Sequence, residues 1–188
     1  MGIFSNFKIN SLRKKIIEDN YELRLEKLAL SLENFPQDKR MDLATIIELS
    51  DEASGFAKQM IGLLFHPEYG VFRNDVGILD EFNFKRLYET LAIWYSWDRI
   101  PFNSEGGKNQ AGIDFCSRSL ELGLGISPEL INTYYDGLAG NLGLVNFALY
   151  RWCMLCIGHI DTSYESLHED SQDCQMFIRT IISAKDAI

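Results

Sequence analysis

SLRKKIIEDNYELRLEKLALSLENF, residues 11–35, decides how this chain folds. Apolar side chains recur in it at spacings of four, four, three, four and three residues, which is the period of one helical face. Those positions are Ile17, Tyr21, Leu25, Leu28, Leu32 and Phe35. A second row widens the apolar face beyond a coiled-coil seam; it consists of Ile9, Ile16, Leu23 and Leu30. The pattern predicts a long helix that ends before Pro36, since proline disfavours helical backbone in the residue before it.

The same period recurs along the rest of the chain, and turn residues separate the segments. The predicted helices cover residues 38–65, 80–95, 113–124, 127–140, 141–158 and 174–182. A break is expected near Ser50–Asp51, and residues 67–80 and 96–109 read as loops. Because no segment alternates regularly between apolar and polar residues, we predict an all-α protein: a compact bundle of six to eight helices with little or no sheet.

The size and composition are those of one globular domain. The chain has 188 residues, of which 46% are hydrophobic and 24% are charged. We expect one helical domain over residues 1–188, with residues 1–10 as a basic and apolar N-terminal segment that can be mobile. Four cysteines and no secretory signal pattern indicate reduced thiols, and therefore a cytoplasmic location.

Charge is unevenly distributed along the chain. The net charge is −9, and residues 1–15 carry Lys8, Arg13, Lys14 and Lys15 without an acid, so the remainder carries −13. A body this acidic repels phosphate backbones, and nucleic acid is therefore not an expected partner. Residues 1–15 have the composition of a basic amphipathic helix, so attachment to an anionic membrane surface is kept as an alternative.

RWCMLCIGHI, residues 151–160, has the most suggestive chemistry. Cys153 and Cys156 have the spacing of a metal clip or redox pair, and His159 follows three residues later. A zinc site needs a second ligand pair, and a redox pair belongs at a helix start after a strand. The surrounding apolar run, residues 142–158, is barely long enough to span a bilayer and contains Arg151. We interpret the stretch as a buried core helix and predict no cofactor.

Residues 159–170, HIDTSYESLHED, bring imidazoles and carboxylates together. Glu165 and His168 form an E-x-x-H pair, and His159 and Asp161 lie close by in the sequence. A helical di-iron site needs that pair twice, and the sequence contains it once. A solvated acidic segment is the interpretation we favour, so no metal site is predicted. These four residues are the candidate ligands if the chain is a metal-dependent enzyme.

Two groups of aromatic residues are candidate contacts for a partner protein. Trp97, Arg99 and Phe102 fall in the predicted loop 96–109, and tryptophan and arginine are the residues most enriched in interaction hot spots. Tyr134 and Tyr135 form a second, weaker group. The competing interpretation, which we favour for Trp97 and Phe102, is that they fill the core of the domain.

These patterns favour a non-catalytic interaction protein over an enzyme: an adaptor, an inhibitor, an immunity-type protein or a regulatory partner. The sequence contains no phosphate loop and no recognisable arrangement of nucleophile and base. The expected partner is another protein. A homodimer that buries part of residues 9–35 or the Trp97 loop is also expected, because the first helix is apolar over more surface than one neighbouring helix covers. A metal-dependent enzyme and a peripheral membrane protein are the alternatives.

Overall fold

A computed structural model gives the fold and describes residues 2–34, 37, 40–158 and 171–186, with side chains at all of these except 2–5, 40 and 41. The α-helices are α1 (Gly2–Leu12), α2 (Asp19–Asn34), α3 (Arg40–Leu64), α4 (Glu81–Arg99), α5 (Gln110–Ser119), α6 (Pro128–Ala139), α7 (Val145–Cys156) and α8 (Gln172–Lys185). Two π-helical segments complete the architecture: Arg13–Glu18 joins α1 to α2, and Leu120–Leu124 extends α5.

The all-α prediction is confirmed. Over the described ranges the backbone forms no strand, and β pairing is limited to an isolated bridge between Phe102 and Lys108. Because the π-helical segments continue their neighbours without a break, the part of the chain that the structure describes contains seven continuous helices. That number lies within the predicted range of six to eight.

Side-chain caps define where several helices begin. The Ser127 hydroxyl accepts a hydrogen bond from the Leu130 amide at 3.3 Å, and proline occupies the first position of α6, as predicted. The Asp80 carboxylate accepts a hydrogen bond from the Asn83 amide at 2.7 Å, so α4 begins where the sequence indicates. These polar side chains satisfy amides that have no partner within the helix.

The predicted break in the second helical region is wrong. α3 passes through Ser50 and Asp51 as regular helix, and the Ser50 hydroxyl donates a hydrogen bond to the Ile47 carbonyl at 2.8 Å. Gly123 packs directly against Ser50, because a Cβ at Gly123 would lie 2.2 Å from the Ser50 Cβ. A small residue at each of these positions therefore lets α5 and α3 approach closely.

Two other boundaries also differ from prediction. α4 continues to Arg99 instead of ending at Tyr95, because the helix is ended by Pro101, and the preceding Ile100 is extended. α7 begins at Val145 rather than near residue 141. Residues 140–143 form turns instead, and the Asn141 amide group donates a hydrogen bond to the Gly137 carbonyl at 2.7 Å.

α4 lies at the centre of the bundle and contacts α3, α5, α6 and α7. Its buried face includes Phe84, Leu87, Leu91, Ala92, Ile93, Trp94 and Trp97. Buried polar groups on this helix bond to its neighbours, and the Tyr88 hydroxyl donates to the Ser54 hydroxyl at 2.8 Å. The central helix therefore fixes the relative positions of the others through apolar packing and a small set of buried hydrogen bonds.

The first long helix buries most of one apolar row and little of the other, with Leu25 and Leu32 of the first row partly buried. Ile17, Tyr21 and Leu28 are buried, as their spacing predicts. In the second row Ile9 is buried, whereas Leu23 and Leu30 are exposed on α2. The apolar face of this helix is therefore wider than the surface that the bundle covers.

Residues 1–15 are attached to the domain at several of their described side chains, although Phe7 is 75% exposed. Ile9 belongs to the core, and the Lys8 ammonium donates a hydrogen bond to the Gly77 carbonyl at 3.0 Å. Lys15 forms an ion pair with Glu81 at the start of α4. Arg13 forms an ion pair with Glu18 at 2.9 Å. Three of the four basic residues in residues 1–15 are therefore bound to groups of the same chain.

Candidate functional site

The residues predicted as protein contacts divide into a buried and an exposed group. Trp97, Tyr134 and Tyr135 are buried, and Trp97 packs on Tyr135 with 5.1 Å between ring centroids. Phe102 is 61% exposed, and Arg99 is exposed and forms an ion pair with Glu52 on α3 at 3.0 Å. The core interpretation is therefore confirmed for Trp97.

The core interpretation is wrong for Phe102. Pro101 ends α4 and turns the chain away from the bundle, so Phe102 lies beyond the last buried position, Ile100. The Lys108 ammonium lies 4.2 Å from the centroid of the Phe102 ring. This cation–π contact holds the ring against its own loop.

The candidate metal ligands His159, Asp161, Glu165 and His168 lie outside the described residues. In the ranges that are described, no group of three or more His, Cys, Asp or Glu side chains could hold a metal ion. The metal-dependent alternative therefore depends entirely on the sequence pattern of residues 159–170.

Cys153 and Cys156 are packing residues of α7, as predicted. Both are buried within the core and neither forms a disulfide. Burial raises the pKa of each thiol, because the thiolate loses its hydration. Burial also raises the pKa of Cys116 on α5 to about 11. Thiols held in the protonated form are poor nucleophiles, so these cysteines contribute packing rather than redox or covalent chemistry.

A cleft of about 630 Å³ opens between α4, α6 and α7. Its lining residues are Asn83 and Arg86 from α4, Leu130, Thr133, Tyr134 and Gly137 from α6, and Trp152, Leu155 and Cys156 from α7. The lining is mostly apolar, with a few polar groups that come from α4 and α6. A cavity of this size and composition is typical of a ligand-binding site.

The floor of the cleft is a buried group of hydrogen-bonded side chains. The Thr90 hydroxyl lies 2.9 Å from the Tyr134 hydroxyl and 3.7 Å from the Cys156 sulfur, within hydrogen-bonding range of both. Burial raises the pKa of Tyr134 to about 12. The floor is therefore uncharged at neutral pH, and its polar groups bond to each other.

One wall of the cleft is aromatic. Tyr134 and Trp152 meet edge to face with 4.6 Å between their ring centroids. Gly137 makes this arrangement possible, since a Cβ there would lie 2.8 Å from Cζ2 of Trp152. The indole ring therefore packs over bare helix backbone, and one of its faces is held in position beside the cleft.

The rim of the cleft exposes apolar side chains around a cation. Phe82 is 64% exposed, and the Arg86 guanidinium lies 5.6 Å from the centroid of its ring. Leu155, which lines the cleft from α7, is 41% exposed. Ile78 is 52% exposed and lies close to Gly158, three residues beyond Leu155, since a Cβ built at Gly158 would be 3.1 Å from Cγ2 of Ile78. We call Ile78, Phe82, Arg86 and Leu155 the rim: Arg86 and Leu155 line the cleft, Phe82 packs against Arg86, and Arg86 carries the positive charge of the set.

A second groove of about 440 Å³ lies between α2, α3 and the π-helical extension of α5. Leu28, Leu43 and Leu122 supply much of its apolar lining. It also contains Asp42 and Arg118, so its charge does not select a partner of either sign. The cleft has the more distinctive chemistry, because Arg86 is the only charged side chain among the described residues that line it.

Comparison with known proteins does not assign this chain to a family. No protein-family model, curated protein or solved structure matches this chain. Among the helices of the described ranges, none combines the length and apolar character needed to cross a bilayer.

Proposed function

We propose that this chain is a non-catalytic interaction protein that binds a partner protein through the cleft between α4, α6 and α7. The exposed apolar rim, above all Phe82 at 64% exposure, is the observation that carries the proposal. Large apolar side chains grouped at the edge of a concave site are typical of surfaces that bind another molecule. Aromatic and arginine side chains are also those that contribute most binding energy in protein interfaces.

The chemistry of the floor supports binding rather than catalysis. A general base or nucleophile in the cleft would need a pKa near the working pH. Burial instead raises the pKa of Tyr134 to about 12 and raises the pKa of the Cys156 thiol above its ordinary value. Both side chains therefore stay neutral and supply shape and packing.

Thr133 offers a way to block the cleft without disturbing the core. Its side chain is exposed, and its hydroxyl donates only to the Glu129 carbonyl of the same helix at 2.8 Å. We expect Thr133→Trp to fill the cleft and weaken partner binding by roughly tenfold or more. The partner would be recovered by affinity purification, identified, and titrated as a purified protein by calorimetry against wild type and variant.

Asn132→Trp is the matched control. Asn132 lies next to Thr133 on α6, is exposed, and does not line the cleft. This variant should bind the purified partner with the affinity of the wild type. Partner binding that is unchanged in Thr133→Trp, or reduced equally in both variants, would rule out the cleft as the binding surface.

The expected homodimer is a separate proposal, supported by the unburied part of the first helix. Leu23 and Leu30 are exposed and lie seven residues apart on α2, so they point in the same direction. A symmetric second copy would cover both side chains. Sedimentation should show a dimer for the full chain and a monomer after Leu23→Glu and Leu30→Glu together. A wild-type chain that remains monomeric at tens of micromolar would disprove the dimer.

We also propose a cytoplasmic location. All four cysteines are free and buried, which suits a compartment that keeps thiols reduced. Microscopy of the full chain with a small C-terminal epitope tests this, and a signal outside the cytoplasm would contradict it.

A further inference from the structure

We infer that the segment of the partner protein that enters the cleft carries an aromatic or aliphatic anchor side chain with a carboxylate beside it, and that the carboxylate pairs with Arg86. This inference rests on the proposed function and specifies the chemistry of the partner at the same site. It follows from the charge of the rim, the apolar lining and the acidic character of the rest of the chain.

Arg86 is the cation in the cleft that is available to a partner. On α4, Lys85 pairs with Glu89 and Arg99 pairs with Glu52. No carboxylate forms an ion pair with Arg86 in the part of the chain that the structure describes, and its guanidinium lies over the exposed Phe82 ring. A guanidinium held over an aromatic ring presents its N–H donors outward, in the fork geometry that suits a carboxylate.

Asn83 adds a second polar group close to Arg86. The two residues are three apart on α4, which puts them on the same helical face, and both line the cleft. An amide and a guanidinium together can donate to both oxygens of one carboxylate. The polar end of the cleft is therefore built for a small planar anion.

The apolar lining fits the anchor side chain. Leu130, Trp152 and Leu155 face the cleft from α6 and α7, and the packing of Trp152 over Gly137 fixes the aromatic wall in place. A preformed wall reduces the entropy lost on binding. An aromatic or branched aliphatic side chain would bury its apolar surface here while a neighbouring carboxylate reaches Arg86.

The charge of the whole chain limits how acidic the partner can be. The net charge is −9, so a partner segment with a run of acidic residues would be repelled. One carboxylate next to the anchor gains the local attraction of Arg86 without a large long-range penalty. We therefore expect a single acidic residue at the anchor, in a partner that is otherwise neutral or basic.

Two matched peptides test this recognition. One is an acetylated and amidated pentapeptide of glycine, glutamate, phenylalanine, leucine and glycine, and the other replaces its glutamate with glutamine. Binding is followed by the fluorescence of Trp152, which lies half-buried in the cleft while the other tryptophans are buried. The full chain should bind the glutamate peptide roughly three- to tenfold more tightly than the glutamine peptide, the range of one partly exposed charged hydrogen bond.

Arg86→Gln should remove this preference, so that both peptides bind the variant equally. Lys85→Gln is the control, because it removes the same charge from the neighbouring residue, which does not line the cleft. The preference should persist in Lys85→Gln. Thr133→Trp should abolish the binding of both peptides, which would show that the fluorescence change reports the cleft.

Three results would overturn the inference. The wild type would bind the two peptides equally, or bind neither, or bind the small acid 4-phenylbutyrate as tightly as the glutamate peptide. The last result would assign the cleft to a small-molecule acid instead of a protein segment. Should these peptide tests fail while Thr133→Trp still blocks a purified partner, the proposed function stands and the role of Arg86 is disproved.

Discussion

The two ends of α4 differ in how their aromatic and charged side chains are partnered. At the C-terminal end Trp97 is covered by Tyr135, and the Arg99 guanidinium donates a hydrogen bond to the Glu52 carboxylate at 3.0 Å. At the N-terminal end Phe82 is exposed, and Arg86 lies over its ring. At the C-terminal end, which we call the sealed end, neighbouring helices contact these side chains. At the N-terminal end, which we call the open end, the same residue types face the solvent.

This difference separates side chains that stabilise the fold from side chains that are available for binding. The Ser96 and Tyr135 hydroxyls lie 2.6 Å apart, within hydrogen-bonding distance, so at the sealed end these two buried groups satisfy each other. The open end exposes apolar surface beside a cation, which favours neither folding nor solubility of the free chain. A surface of this kind is better explained by a partner than by the stability of the bundle.

Replacing Trp97 at the sealed end of α4 and Trp152 of α7, which lines the cleft beside the open end, tests the contrast and carries the largest expected effect. Trp97→Ala should lower the free energy of unfolding by about 3–5 kcal/mol, because it opens a cavity in the sealed core. Trp152→Ala should lower it by roughly half as much, since Trp152 is only half-buried at the cleft. Urea denaturation measures both. Equal losses would mean that the cleft is as tightly closed as the core.

Much of the fold follows from the sequence because helical periodicity is local. The spacing of Ile17, Tyr21 and Leu28 predicts the buried face of the first helix, and the cap at Ser127 predicts the start of α6. The C-terminal boundary of α4 is missed because Ser96 resembles a loop residue, although it lies within the helix and its hydroxyl bonds to the Ile93 carbonyl.

The cleft could not be predicted in the same way. Arg86, Leu130 and Trp152 come from three helices that are far apart in the sequence, and no local pattern specifies how those helices are oriented. Two signals were available. Phe82 and Arg86 are four residues apart on one helix, and Gly137 inside a helical segment indicates the close approach of another group.

Removing the hydroxyl of Tyr134 or of Tyr135, two neighbouring residues of α6, tests whether the floor of the cleft is as ordered as the core. Tyr135→Phe and Tyr134→Phe should each lower the free energy of unfolding by about 1 kcal/mol. The losses should be similar, because Ser96 keeps its bond to the Ile93 carbonyl at 2.9 Å and Thr90 keeps its bond to the Arg86 carbonyl at 2.7 Å. A Tyr134→Phe variant as stable as the wild type would show that the floor is loosely held.

Thiol reactivity should distinguish Cys156, which lines the cleft, from Cys116, which does not, once a peptide occupies the cleft. Cys116 and Cys156 are both buried, and burial raises the pKa of both thiols, to about 11 for Cys116. Because only the thiolate reacts, alkylation of both thiols at neutral pH should be slower than in the unfolded chain, by at least about tenfold for Cys116, and should accelerate as the pH rises. Mass spectrometry after an iodoacetamide pulse measures both sites.

Addition of the glutamate peptide should slow the alkylation of Cys156, which lies at the floor of the cleft, and leave Cys116 unchanged. Equal protection of both thiols would point to a general stabilisation of the fold, and no protection of either would place the peptide elsewhere.

The smallest expected effect concerns Glu89, which lies between the two ends of α4. Burial raises the pKa of this carboxyl above its ordinary value of 4.5, and the positive charges of Lys85 and, to a smaller extent, Arg86 only partly oppose the shift. A carboxyl whose folded-state pKa is raised binds its proton more tightly in the folded chain, so its contribution to stability declines as the pH rises through that pKa.

Glu89→Gln imitates the protonated form and should therefore increase the free energy of unfolding slightly at neutral pH. The difference should vanish below the ordinary carboxyl pKa, where the wild type is protonated in both states. Urea denaturation of both proteins across this pH range measures the effect, and Glu105→Gln is the control, since Glu105 is exposed and is in none of the ion pairs of the described residues. A Glu89→Gln variant that is less stable at neutral pH would show that the ion pair with Lys85 outweighs the burial of the charge.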